Sequence, residues 1–297
     1  MTLRPDSVAE LAAFISDAAS ARRALRLVGR GTWLDADEAV RDAEPLALTA
    51  FDGVIEYEPG DLTITVGAAT TLAELDAVTA AHHQWCPLAP WGGDTGSVGA
   101  TISTATSGPF SHALGLPRDL VLGLECVDGT GKVLRPGGRV VKNVAGFDLV
   151  RLMTGAWGTL GAITRVSLRL RARPAADETW HLPLDATRAD EVQQELRRSM
   201  TPPIACELVR EDQLSGAIAD GLLVRLAGNA AVVAAGRADL QRRADARAAD
   251  GALWTTLREH APSRVPRRPR SPAVQALNRE VKRAFDPAGV LNPGILQ

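Results

Sequence analysis

A short apolar run, Leu25 to Val28, ends in Gly29-Arg30-Gly31-Thr32-Trp33, and here the sequence first offers chemistry. Two glycines one residue apart let the backbone turn tightly and aim N–H groups at an anion, although the same pattern also serves a plain turn. It is not a G-x-G-x-x-G fingerprint, because Leu34 stands where the third glycine belongs and no long amphipathic helix follows at once. A second stretch, Pro87 to Pro109, interleaves Gly92, Gly93, Gly96, Gly99 and Gly108 with Thr95, Ser97, Thr101, Ser103, Thr104, Thr106 and Ser107. Residues this small imply close approach of backbone to something flat or charged. Val98, Ala100, Ile102 and Ala105 add apolar anchors that a floppy linker lacks, so we read the stretch as a ligand-cradling loop.

Other chemistries are poorly served. Cys86, Cys126 and Cys206 are widely spaced with no CxxC, which fits buried free thiols better than a zinc knuckle or an iron–sulfur cluster. The histidines, His82, His83, His112, His181 and His260, make no ligand-spaced pair with a carboxylate in the second half of the chain, and no metal site is expected. A net charge of -2 gives no overall positive field for nucleic acid. The one basic, proline-rich segment, Arg258 to Arg270, has no aromatic residues among its arginines and reads as an extended linker.

These segments need a scaffold, and 297 residues suffice for about two domains. With 45% hydrophobic and 23% charged residues the composition is that of a folded, soluble protein. The N-terminus carries Asp6, Glu10 and Asp17 and lacks the apolar run of a signal peptide, and no segment has 18 uninterrupted apolar residues, so neither export nor membrane spanning is expected. Ser7 caps a predicted helix bearing Val8, Leu11, Phe14, Ile15 and Ala18. Strands are predicted at 46–48, 54–57 and 62–66, a Thr71-capped helix at 72–81, a hairpin from 120–127 and 133–135, an Asp148-capped helix at 149–153 and an alternating strand at 162–173. After Pro174 the pattern reads strand, helix, strand, strand, helix (179–184, 188–199, 204–209, 221–227, 230–249), a βαββα unit like part of a ferredoxin-like domain. A helix at 272–285 and a turn-rich tail close the chain.

In order, the pieces GRGTWL, PWGGDTGSVGATISTATSG, LGLPRDLVLGLECVDGTGKVLR, GGRVVKNVAGFDLVRLMTGAWGTLGAITRVSLRLRARP and FDPAGVLNPG resemble the vanillyl-alcohol-oxidase/PCMH family of FAD flavoproteins. Within that family they are similar to the FAD-binding subunit of bacterial glycolate oxidase complexes, over roughly residues 25 to 174 and 277 to 295. The resemblance implies an α+β fold: a PCMH-type FAD-binding domain at 1–174 with subdomains near 1–50 and 51–174, a reduced ferredoxin-like cap at 175–260, and a linker and helix at 261–297 that return to the first domain. It implies FAD as cofactor, with Gly29, Arg30, Gly31, Thr32 and Trp33 at the pyrophosphate. Trp91, Gly92, Thr95, Gly96, Gly99, Ala100, Thr101 and Gly108 would form a second flavin loop, and Gly158, Gly161 and Ile163 the adenine side. Arg118 and Asp119 would hold the scaffold. The pyrophosphate loop has no histidine for linkage to the flavin, so the FAD is expected to be noncovalent.

The departures bear on activity. The family's catalytic subunits carry a GHxGDGNxH-like stretch, and this chain has none; Phe147 also stands where a KNxxGYD motif commonly has tyrosine. The resemblance therefore implies a cytoplasmic flavin-carrying subunit that works with a catalytic flavin subunit and an iron–sulfur subunit, any membrane association coming through those partners. Two other readings stand beside it: a self-sufficient FAD-dependent 2-hydroxy-acid dehydrogenase using Arg30, Lys142 and Arg151 as carboxylate clamps, and a noncatalytic assembly subunit that retains the flavin fold.

Overall fold

The computed structural model describes residues 2–32, 40, 42–138, 148–260 and 271–295. Trp33, Lys142 and Phe147 lie outside them. The chain opens with α1 (Val8–Ser20), where the Ser7 hydroxyl accepts the Glu10 N–H and Leu11, Ile15 and Ala18 form one buried face. Strand β1 (Leu25–Val28) pairs in parallel with β2 (Glu44–Ala47). This small unit does not close its own core. Leu11, Ile15, Leu25 and Leu46 pack with Val127 and Ala162 of the neighbouring sheet and with Val290 and Leu291 from the end of the chain.

The neighbouring sheet uses β3 (Val54–Glu58), β4 (Thr63–Gly67), and, after α2 (Leu72–Ala80), β5 (Gln84–Trp85) and the short helices α3 (Val98–Thr104), α4 (Ser111–Leu114) and α5 (Pro117–Leu120), the strands β6 (Val121–Asp128), β7 (Val133–Leu134) and β8 (Gly161–Arg169). Its order is β3-β4-β8-β6-β7, antiparallel throughout. Thr71 and Glu74 cap α2 reciprocally, a capping box that the sequence pattern announces. Between β7 and β8, Asp148 caps α6 (Leu149–Met153). The alternating run after Gly161 is not one strand: β8 ends at Arg169, and β9 (Arg171–Ala172) leaves the large sheet to pair with β5.

The segment beyond Pro174 folds as β10 (Ala176–Pro183), α7 (Ala186–Arg197), β11 (Ala205–Val209), β12 (Gly221–Gly228), α8 (Ala230–Arg243) and β13 (Arg247–Ala249), with sheet order β11-β12-β10-β13. This is a complete βαββαβ ferredoxin-like unit rather than the βαββα fragment expected. The alanine- and arginine-rich run has helical propensity through Ala249, but Ala244 is extended and Arg247–Ala249 pairs with the edge of β10, so tertiary pairing overrides propensity. One face of this sheet buries Trp180, Leu182, Leu222, Val224 and Leu226 against α7 and α8. The other buries Ala205, Val209 and Leu223 against Phe110, Trp254 and Leu257. Trp254 and Leu257 lie on α9 (Leu253–His260), so Arg258 is a buried helical residue and not the start of an extended linker. The last helix, α10 (Pro272–Phe285), starts at a Ser271 cap with Pro272 in its first turn and packs Val281 and Phe285 on the large sheet's core.

Candidate functional site

A cleft opens where β1 meets the large sheet. Arg26, Leu27 and Val28 form its floor, continued by Gly29, Arg30, Gly31 and Thr32. Its far wall is α3 and the turn after it, presenting Ser97, Gly99, Ala100, Ser103, Thr104 and Thr106; Trp157, Gly158, Gly161, Ile163 and Asn292 close one end. Among the described residues no group accepts the backbone N–H of Gly29, Arg30 or Gly31. Gly31 has φ +72°, and a Cβ there would meet nothing within 4 Å. The loop thus offers N–H donors and empty space, the two requirements of an anion cradle.

Hydroxyls supply the opposite wall. Thr104 donates to the Ala100 carbonyl (2.8 Å) and shares a hydrogen bond with Thr106 (2.7 Å). The first N–H groups of α3 are already used, Val98 bonding the Thr70 carbonyl, Gly99 that of Ala68, and Ala100 the Ser97 hydroxyl. This wall therefore offers side-chain hydroxyls and small apolar surface rather than backbone donors.

Two of the three cationic side chains anticipated as a carboxylate clamp, Arg30 and Arg151, are otherwise engaged. Arg30 Nε donates to the Ala69 carbonyl (2.8 Å), and its guanidinium lies 2.6 Å from Asp52 and 3.6 Å from Glu74. Hydrogen bonds from Thr71 hold Glu74 below the usual carboxylate pKa, so this partner stays charged. Arg151 pairs with Asp148 (3.2 Å) on the exposed side of α6 and does not line the cleft. Lys142 lies outside the described residues. Arg26 and Arg30 are the only ionisable residues lining the cleft among those described; no histidine, lysine or carboxylate does.

Of the residues singled out from sequence, Gly29, Arg30, Gly31, Thr32, Gly99, Ala100, Gly158, Gly161 and Ile163 come together here. Trp91, Gly92, Thr95, Gly96, Thr101 and Gly108 do not. Thr101 is fully buried, its hydroxyl donating to the Ser97 carbonyl (3.0 Å). Gly96 accepts the Leu72 N–H, and Thr95 is exposed. Gly108 lies against backbone: a Cβ there would stand 1.8 Å from the Ala89 carbonyl oxygen. The Gly92 N–H donates to the Arg258 carbonyl (2.9 Å), while the Arg258 side chain bonds the Pro90 carbonyl and Asp94 (2.5 and 3.2 Å). Trp91 packs on the aromatic layer of Phe110 and Trp254, over which Arg225 sits 4.7 Å from the Phe110 ring. Trp91 and Gly92 thus join α9 and the ferredoxin-like sheet to the rest of the molecule.

Several lining residues were not assigned a part in the site from sequence. Ser103 and Thr104 belong to the stretch read as a ligand-cradling loop, and Trp157 to a motif that carries the resemblance, yet none of the three had a role of its own. Asn292 sat inside a motif quoted for the resemblance, although its type alone gave no role. The three cysteines offer no nucleophile, burial pushing each thiol up to about 12.

Comparison with known proteins fits this geometry. Residues 1–137 match the FAD binding domain family, and residues 263–296 match the C-terminal domain of FAD linked oxidases. The glycolate oxidase subunit GlcE of Escherichia coli is 39% identical over 125 residues, 42% of this chain and 36% of that protein. A D-lactate dehydrogenase of Archaeoglobus fulgidus is 29% identical over 170 residues, 57% of this chain and 38% of that one. The glycolate oxidase subunit GlcD of Bacillus subtilis is 31% identical over 126 residues, 42% of this chain and 27% of that one. The matches thus span roughly a third of each relative's length. In fold, the chain superposes on an alkyldihydroxyacetonephosphate synthase with a TM-score of 0.71 at 19% identity, covering 88% of this chain and 55% of that one. Among the described residues no helix is long and apolar enough to cross a membrane.

Proposed function

This chain belongs to the PCMH-type FAD oxidase family, and on that premise we propose that it is the flavin-holding subunit of a glycolate oxidase-like complex, oxidation of the 2-hydroxy acid depending on groups from a companion flavin subunit and electrons leaving through an iron–sulfur subunit. FAD is the cofactor. The cleft's donor set suits it: Gly29 to Thr32 would hold the pyrophosphate through backbone N–H groups, and Gly158, Gly161 and Ile163 would border the adenine. Bound there, FAD supplies a two-electron acceptor. Without a histidine in the Gly29–Thr32 loop the binding is noncovalent. The complex would sit in the cytoplasm, with any membrane contact made by its partners.

The observation that carries this reading is the cleft's lack of a base among the described residues. Oxidising a 2-hydroxy acid removes a proton from the hydroxyl and a hydride from its carbon, and a positioned base contributes typically 10²- to 10⁴-fold. Glu207 and His181 lie on the inner face of the ferredoxin-like sheet and do not line the cleft. The engagement of Arg30 and Arg151 with carboxylates disfavours a self-sufficient dehydrogenase, and the N–H groups at Gly29 to Gly31, which no described residue accepts, disfavour an assembly subunit that has given up its flavin. The test is dye reduction by the FAD-loaded chain with glycolate or D-lactate, alone and with its companion subunits. Turnover that requires the companions is expected, and robust turnover by the single chain would contradict the proposal.

A further inference from the structure

We propose that Asn292 is a positioning residue for the cofactor: its side chain clasps the two walls of the cleft together, so that FAD binding and docking of the segment from Asp286 to Ile295 are energetically coupled. This rests on the reading that FAD occupies the cleft. Asn292 Oδ1 accepts the Leu27 N–H (2.8 Å), and Nδ2 donates to the Trp157 carbonyl (2.7 Å). Its own N–H donates to the Leu25 carbonyl (2.9 Å). Leu27 belongs to the floor strand and Trp157 to the end wall that runs into β8, and all three residues line the cleft. One amide therefore bridges the two units, which Arg30 also joins through the Ala69 carbonyl and Asp52. The place is fitted for it: Asn292 has φ +41°, which asparagine tolerates better than most residues. A Cβ at Gly158 would lie 2.8 Å from Asn292 Nδ2.

The amide is held in place by a buried anchor at the end of α10. Asp286 accepts the N–H groups of Val290 (3.0 Å) and Leu291 (2.8 Å). Lys282 Nζ lies 2.5 Å from Asp286 and also donates to the carbonyls of Thr159 and Leu291, both at 2.7 Å. The Leu25 N–H meets the Val290 carbonyl (2.8 Å). With the segment docked, both walls stand at one spacing; with it undocked, the spacing is no longer imposed. A ligand that touches both walls binds the docked form better, and by linkage its binding holds the segment down.

The experiment compares full-length wild type with Asn292→Gly and Asn292→Asp, measuring FAD affinity and release rate by flavin fluorescence beside the unfolding midpoint of the FAD-free protein. Glycine keeps the left-handed backbone and loses both side-chain bonds. Aspartate keeps the acceptor for Leu27 and opposes the Trp157 carbonyl. Each should weaken FAD binding about tenfold, mostly through faster release, the scale of one or two net hydrogen bonds. In wild type, added FAD should slow amide hydrogen exchange at Leu291 and Asn292, a readout that needs no variant. Unchanged affinity in both variants, or unchanged exchange in a wild type that binds FAD, overturns the clasp alone. A purely structural role would lower the unfolding midpoint and leave affinity untouched, which also overturns it. A folded wild type that does not bind FAD overturns the cofactor reading itself, and the clasp with it.

Discussion

The two glycine-rich segments look alike as sequence and are used in opposite ways. Gly29 to Thr32 lines the cleft, with N–H groups at Gly29 to Gly31 that no described residue accepts and room beside Gly31. The segment from Trp91 to Gly108 divides: its middle, Ser97 to Thr104, forms one wall of the cleft, whereas its two ends turn away and press backbone against backbone beneath α9 and the ferredoxin-like sheet. Glycine and small hydroxyl residues mark places where something must come close. They do not say whether that is a ligand or another piece of the same chain.

Substitution at Gly108 should break this contrast most visibly. A methyl group 1.8 Å from a carbonyl oxygen has no flexible side chain to displace, so Gly108→Ala should cost more than about 4 kcal/mol or prevent folding. Urea unfolding measures it, and a wild-type midpoint would show that this end of the segment is not held by backbone contact.

A smaller effect sharpens the same region. Glu207 lies on β11 between Ala205 and Val209, the residues that face Phe110 and Trp254, and burial pushes its carboxyl from 4.5 up to about 7. Between those values the folded chain holds a proton that the unfolded chain has released, so this stabilisation is complete below about 4.5 and is lost as pH rises through about 7. The loss should be about 2 kcal/mol after allowing for partial exposure. Urea midpoints at pH 5 and pH 8 should differ less in Glu207→Gln than in wild type; equal differences would place Glu207 in a more watery setting.

What the sequence made legible follows from how local each determinant is. The caps at Ser7, Thr71 and Asp148 depend on a few adjacent residues, and each helix starts where its cap predicts. The parallel pairing of Leu25–Val28 with a strand some twenty residues on, the β8 to β9 switch and the β13 edge strand depend on distant partners. At the cleft, the Gly29–Thr32 loop announces itself through local backbone freedom. Asn292 does not, because its role exists only once Leu27 and Trp157 are brought to either side of it.

The account stands most directly on Gly31. Gly31→Val has the smallest effect on folding of these substitutions, about 1–2 kcal/mol for a side chain at φ +72° with open space around it. Its consequence falls on the ligand, because the new side chain fills the space beside the N–H donors. Equilibrium FAD titration of wild type and Gly31→Val, read by flavin fluorescence on protein shown to be folded, should find binding in the first and none in the second. Equal affinity in the two would contradict the claim that this loop holds the cofactor.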